Sequence, residues 1–260
     1  MSFTDPADGA AVASRPRAFL SRDTLIVAAA LALAALLAWG WLLRQQTVGM
    51  HGAPAPDPLS PGYLLPAFAM WAVMMVAMMM PSAAPMFLLH ARIDRTPDVA
   101  RRRLNSLLFV SGYLLVWSGF SAAAALAQAL LVESGSVSAA SLAIGSKNLA
   151  AAVLLVAAGY EITAAKRACL GVCQAPMLFI LNHWTPGAAG AFRLGLRHGL
   201  YCLGCCWTLM LLLFVGGVMN LAWVALLGIL VVGEKLAPPN WHANLFAALA
   251  LILAAMRLVG

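Results

Sequence analysis

Within the nine residues that end GLRHGLYCLGCC, the chain places His198, Cys202, Cys205 and Cys206, and with them three of its five cysteines. On a helix advancing about 100° per residue, His198, Cys202 and Cys205 share one face and Cys206 lies at its edge. Imidazole and thiolates gathered there form a soft donor set. Such a set suits Cu(I), Zn or iron–sulfur chemistry, whereas Mg and Ca want oxygen ligands that this stretch lacks. The competing reading is that each cysteine is a small buried hydrophobe, as cysteine often is.

Two further groups could join this chemistry. Cys169 and Cys173 in KRACLGVCQAP have the i, i+4 spacing that lets one helical turn present both sulfurs, although Gly171 between them equally permits a loop. Upstream, MWAVMMVAMMMPSAAPM holds seven of the thirteen methionines. Met70, Met74 and Met78 line one helical face; Met75, Met79 and Met86 line the opposite one. Thioethers are neutral soft ligands for Cu(I), and equally are adaptable fillers of apolar gaps. Pro81 and Pro85 are expected to kink or open this helix and free carbonyls that a neighbouring helix must satisfy.

Glu161 is the only acidic residue well inside an apolar stretch, so it is either functional or snorkels to Lys166 or Arg167. His90 and the pair Glu234–Lys235 are expected at the interface; His51, His183 and His242 carry no signal. Gly195 and Gly199 have the small-xxx-small spacing that permits close helix approach. No phosphate-cradling glycine loop or serine–histidine–acid arrangement is visible. Cys202-x-x-Cys205 keeps a thiol–disulfide reading open, but membrane oxidases of secreted proteins present their thiols to the exterior.

The elements that must position these residues are apolar helices. Hydrophobic residues make up 63% of the chain and charged ones 10%, far from the balance of a soluble domain. A helix crossing hydrocarbon needs about 20 mostly apolar residues, and such runs recur along the chain. The fold class expected is an all-α transmembrane bundle with spans at 24–43, 63–90, 104–132, 147–165, 198–217, 221–236 and 241–259, after a disordered cytoplasmic tail at 1–22. Loops rich in proline or small residues fall at 44–62 and 133–146. Residues 166–197 are the least regular, and Pro176–Trp184 is too short to cross. The turn at Val218–Asn220 should make an antiparallel hairpin.

The net charge of +7 does not imply nucleic acid, because the basic residues lie in the breaks between apolar runs. With the N-terminus inside, Arg15, Arg17, Arg22, Arg92, Arg95, Arg101, Arg102, Arg103, Lys166, Arg167, Arg193, Arg197 and Lys235 are cytoplasmic, and Arg44, Lys147 and Arg257 are not. That asymmetry favours seven spans, an outward C-terminus and cysteines at the cytoplasmic side, where thiols stay reduced.

The blocks MMVAMMMPSAAPM, YEITAAKRACLGVCQAP and GLYCLGCCWTLMLLLFVGGVMNLAWVALLGILVVGEKLAP resemble the bacterial family described as predicted metal-binding integral membrane proteins, a domain of unknown function. The resemblance covers roughly residues 63–240. It carries over Met74, Met75, Met78, Met79, Pro81, Tyr160, Glu161, Lys166, Cys169, Cys173, Cys202, Cys205, Cys206, Trp207, Asn220, Glu234 and Lys235, and implies a multi-span inner-membrane protein that binds metal, with copper a reasonable candidate.

The leading expectation is a protein that handles Cu(I), with Zn as competitor, through Met74, Met75, Met78 and Met79 and the donors between Cys169 and Cys206, without bond-making chemistry. Its partners would be the bilayer and a copper chaperone, copper enzyme or other membrane subunit. Alternatives are a redox or haem-bearing subunit using His90 and His198, and a structural membrane partner without metal.

Overall fold

The computed structural model describes residues 22–48, 57–138, 141–237 and 241–259. The expected tail up to residue 21, His51, the loop prolines Pro54 and Pro56 and the Pro238–Pro239 break lie outside the described residues. Apart from one isolated bridge, Val137 to Ile144, the regular structure described is all helical. Among the described residues nine helices follow in order: α1 Arg22–Val48, α2 Pro61–Ile93, α3 Val99–Glu133, α4 Lys147–Glu161, α5 Ala164–Gln174, α6 Pro176–His183, α7 Ala188–Gly216, α8 Leu221–Leu236 and α9 Trp241–Val259.

Among the described residues, four helices are long and apolar enough to cross a membrane: α1, α2, α3 and α7. A fifth span results if α4 and α5, bent by 65° at their junction, count as one. The run expected at 147–165 therefore stops at Glu161. Thr163 ends it by capping α5: its hydroxyl accepts from Lys166 N at 3.1 Å and donates to the Tyr160 carbonyl at 2.8 Å. α8 and α9 have the boundaries read from the sequence.

α2 is the central element, packed against α1, α3, α6 and α8. Its methionines therefore do not divide into a core face and a free face: Met74, Met75, Met78, Met79, Met80 and Met86 are all buried. α2 continues through Pro66, Pro81 and Pro85. Pro81 has no N–H to give the Ala77 carbonyl, and that carbonyl instead accepts from Trp39 Nε1 of α1 at 3.2 Å. At the far end, Asp94 accepts from Thr96 and from Asn105 Nδ2, tying the α2–α3 turn. Burial pushes the Asp94 carboxyl upward, but these hydrogen bonds outweigh it and hold the group below its ordinary value of 3.8.

Helix α7 begins ten residues before the expected start at His198, capped by Gly187 at φ 84°. Gly195 and Gly199, read as a small-xxx-small spacing, are contact points: a Cβ on Gly195 would overlap the Phe109 carbonyl of α3, and one on Gly199 would meet Val116. The α3–α7 pair is thus drawn close enough for backbone to touch backbone. Gly217, at φ 87°, ends α7, and Asn220 caps α8 through Trp223 N at 3.2 Å. The expected hairpin follows, with Trp223 Nε1 donating to the Leu212 carbonyl at 2.8 Å.

Candidate metal centre

Because α7 starts at Ala188, His198 and its three cysteines fall near the middle of a 29-residue helix rather than at its start. There α7 meets α2, α3, α5 and α8. Cys202, Cys205 and Cys206 are buried to within 1% of full exclusion. The Cys205 and Cys206 thiols donate to the Cys202 carbonyl at 3.1 and 2.9 Å, one turn back, which fixes their directions.

α5 is helical through Gly171 and carries both remaining cysteines. Cys173, half-buried, lines a small cavity with His198 and Lys235 beside these thiols. Cys169 packs over Gly204, where a Cβ would stand only 2.7 Å from its Sγ. All five cysteines accordingly gather along one α5–α7 contact. A thioether joins from α2: Met79 Sδ lies 4.0 Å from Cys206 Sγ. Met74 and Met75 are buried in the same helix, whereas Met78 turns toward Gly228 of α8.

Three polar groups that the sequence reading did not place beside the thiols complete the surroundings. Lys235, expected at the interface, is buried, and its Nζ donates to Cys202 Sγ at 2.9 Å and to Ser82 Oγ at 2.9 Å. Tyr113 of α3, fully buried, holds its hydroxyl 3.1 Å from Cys202 Sγ and donates to the Met79 carbonyl at 3.2 Å. Cys202 is therefore contacted by a cation and a phenol while its neighbours are held by backbone. A tyrosine inside an apolar run needs a polar partner, and that was the available signal for Tyr113.

His198 is 2% exposed, and among the described residues neither ring nitrogen has a hydrogen-bond partner. Its ring stacks on Tyr113 at 5.3 Å and packs against Phe87, Phe109 and Phe179. It lines a cavity of about 140 Å³ together with Met86, Cys173, Ser82 and Lys235. His90, also expected at the interface, is buried and stacked on Phe109 at 4.6 Å, so the Phe109 ring packs against both histidines.

Glu161 is not brought to the thiols. Its carboxylate is paired with Lys166, whose Nζ also reaches Glu234 at 2.9 Å; both Glu161 and Lys166 are wholly buried. The snorkelling alternative gave the right partner in the wrong place, because Lys166 folds inward rather than out. This ion triad links α4, α5 and α8 and so anchors the helix that carries Cys169 and Cys173.

Among the described residues, no three His, Cys, Asp or Glu side chains already stand in an arrangement that could hold a metal ion. The donors are gathered but not closed. Their chemistry nonetheless suits a soft metal ion: thiols, a neutral thioether and an imidazole, with Cys202, Cys205, Cys206, Met79 and His198 buried and Cys169 and Cys173 partly exposed.

A family profile described as copper chaperone, PpoB2, matches residues 68–259. The chain belongs to this copper chaperone family. The matched span starts within α2 and runs to the end of α9, so it contains all five cysteines, the buried methionines, the ion triad and Lys235. No curated protein and no solved structure matches the chain.

Proposed function

We propose that this chain is an integral protein of the bacterial inner membrane that takes up Cu(I) on the sulfur donors between α2, α5 and α7 and passes it to a copper enzyme or another copper-carrying protein. The observation that carries the reading is the gathering of buried Cys202, Cys205 and Cys206 with Met79, with half-buried Cys173 on the neighbouring α5, within a chain of the copper chaperone family. Cu(I) prefers such thiolate and thioether donors, and Zn(II) is the serious competitor for the thiolates. Met74, Met75 and Met78 serve as neutral relay positions along α2, while His198 and Cys169 flank the thiols. Transfer of an ion between soft ligands breaks no covalent bond of a substrate, so no catalytic residue is assigned.

A membrane setting is supported by the outer faces of the helices, where Leu36, Leu37, Leu65, Leu107 and Ile229 are each more than 60% exposed. Water would be a poor solvent for so much apolar surface, and hydrocarbon a good one. In our reading α8 and α9, and α4 with α5, complete seven spans, N-terminus inside. At 33, 35 and 29 residues, α2, α3 and α7 exceed the roughly 20 residues that hydrocarbon requires. Their inner ends extend beyond the core and leave the thiols toward the cytoplasmic side.

Competition titration in detergent against a chromophoric Cu(I) chelator under reducing conditions tests the reading. Wild type should bind Cu(I) stoichiometrically, and Cys202→Ser/Cys205→Ser should not. Equal stoichiometry and affinity in both proteins would reject the thiols as ligands.

A further inference from the structure

Lys235 places a lysine ammonium inside the bundle, against sulfur. Among the described residues its Nζ donates to Cys202 Sγ and Ser82 Oγ, each at 2.9 Å. The adjacent carboxylate, Glu234, is turned to Lys166. A cation buried this deeply is costly unless a negative charge faces it, and the sulfur of Cys202 is the group in position to provide one. Lys235 also lines the small cavity shared by His198, Cys173 and Met86.

We infer that Lys235 sets the charge selectivity of the site, making Cys202, Cys206 and Met79 specific for a monovalent soft cation. This rests on the reading above that these sulfurs hold the cargo. When Cu(I) is bound by Cys202 and Cys206, both as thiolates, any thiol proton still present leaves to solvent and the two sulfurs carry two negative charges. The ion returns one positive charge, Met79 adds none, and the ammonium of Lys235 cancels the remaining negative charge. The loaded site is then neutral in a medium of low dielectric, where an uncancelled charge is expensive. A divalent ion on the same two thiolates is already neutral, so the ammonium is left without a counter-charge and repels the ion. Lys235 thus favours Cu(I) over Zn(II) by electrostatics, beyond the preference of sulfur itself. It acts on the cargo through Cys202 and is a positioning and selectivity residue, not a ligand.

The test compares wild type with Lys235→Gln, which keeps a hydrogen-bond donor and removes the charge, and with Lys235→Arg, which keeps the charge. Cu(I), its redox-inert counterpart Ag(I), and Zn(II) are titrated separately into detergent-purified protein against chromophoric competitors. Lys235→Gln should lose tenfold or more in affinity for Cu(I) and Ag(I) while its Zn(II) affinity holds or rises. Lys235→Arg should restore the wild-type ratio. A proportional loss for all three ions, or an unchanged ratio in Lys235→Gln, would overturn the inference while leaving the thiol site standing. Wild type that bound neither monovalent ion would overturn the underlying reading as well. Should Lys235→Gln fail to fold, Ser82→Ala, which removes the second contact of the ammonium and leaves its charge, serves instead. It should keep the wild-type ratio, and a shift toward Zn(II) there would refute the charge argument.

Discussion

Replacing Lys166 with methionine isolates what holds α5 against the bundle. The side chain is 0% exposed, as is Glu161, while Glu234 is 18% exposed. One ammonium therefore serves two carboxylates, and its removal takes the cation from a carboxylate in a place that water does not reach. Removing a single partner from a buried ion pair costs about 3–5 kcal/mol, because the other charge stays desolvated without compensation. Glu234, partly open, can recover solvent; Glu161 cannot. Most of the penalty should thus belong to Glu161, and Glu161→Gln/Lys166→Met should recover at least half of it. Unfolding in mixed micelles by increasing SDS, followed by tryptophan fluorescence, measures both variants. The single variant should also loosen α5 and make Cys173 react faster with a small thiol reagent. A cost below about 1 kcal/mol for Lys166→Met, or no recovery in the double variant, would refute the buried-charge reasoning.

Other substitutions probe separate links. Gly195→Ala puts a methyl into the Phe109 carbonyl and should cost about 1–3 kcal/mol or more in the same assay, whereas Gly119→Ala on α3, with open space around it, should be neutral or stabilising. Asp94→Asn should destabilise by about 1–2 kcal/mol at neutral pH. Since the native carboxyl titrates below its unfolded value, its contribution is present above about pH 4 and is lost as pH falls further, so wild type and variant should converge in acid. For topology, an alkaline phosphatase fusion after Gly260 should be active and one near Arg102 inactive; matching signals at both sites would reject the seven-span arrangement.

The helices were legible where apolar runs end at strong punctuation. α8 could be bounded from Asn220 and the prolines after Leu236, whereas the expected span 63–90 falls short of α2, Pro61–Ile93, at both ends. α7 was cut short because residues 166–197, Gly190 among them, look broken in one dimension, whereas Gly195 and Gly199 read by their spacing as a place of close helix approach, for which α3 supplies the partner. The cysteine face was legible because helical periodicity alone puts His198, Cys202 and Cys205 together. Lys235 was not. A lysine at the end of an apolar run reads as interfacial, and its inward course depends on Cys202 and Ser82, 33 and 153 residues away. The methionines show the same limit: periodicity sorts them into two faces, but that both are buried, and that Met79 rather than Met78 meets a thiol, follows from the central position of α2.

X-ray absorption at the copper edge of the Cu(I)-loaded, detergent-purified protein tests the central claim most directly, because it reports the atoms around the ion rather than the strength of binding. The account predicts a low-coordinate Cu(I) surrounded by sulfur, with the sulfur shell diminished in Cys202→Ser/Cys205→Ser. A shell of oxygen and nitrogen, or a sulfur shell unchanged in that variant, would contradict it.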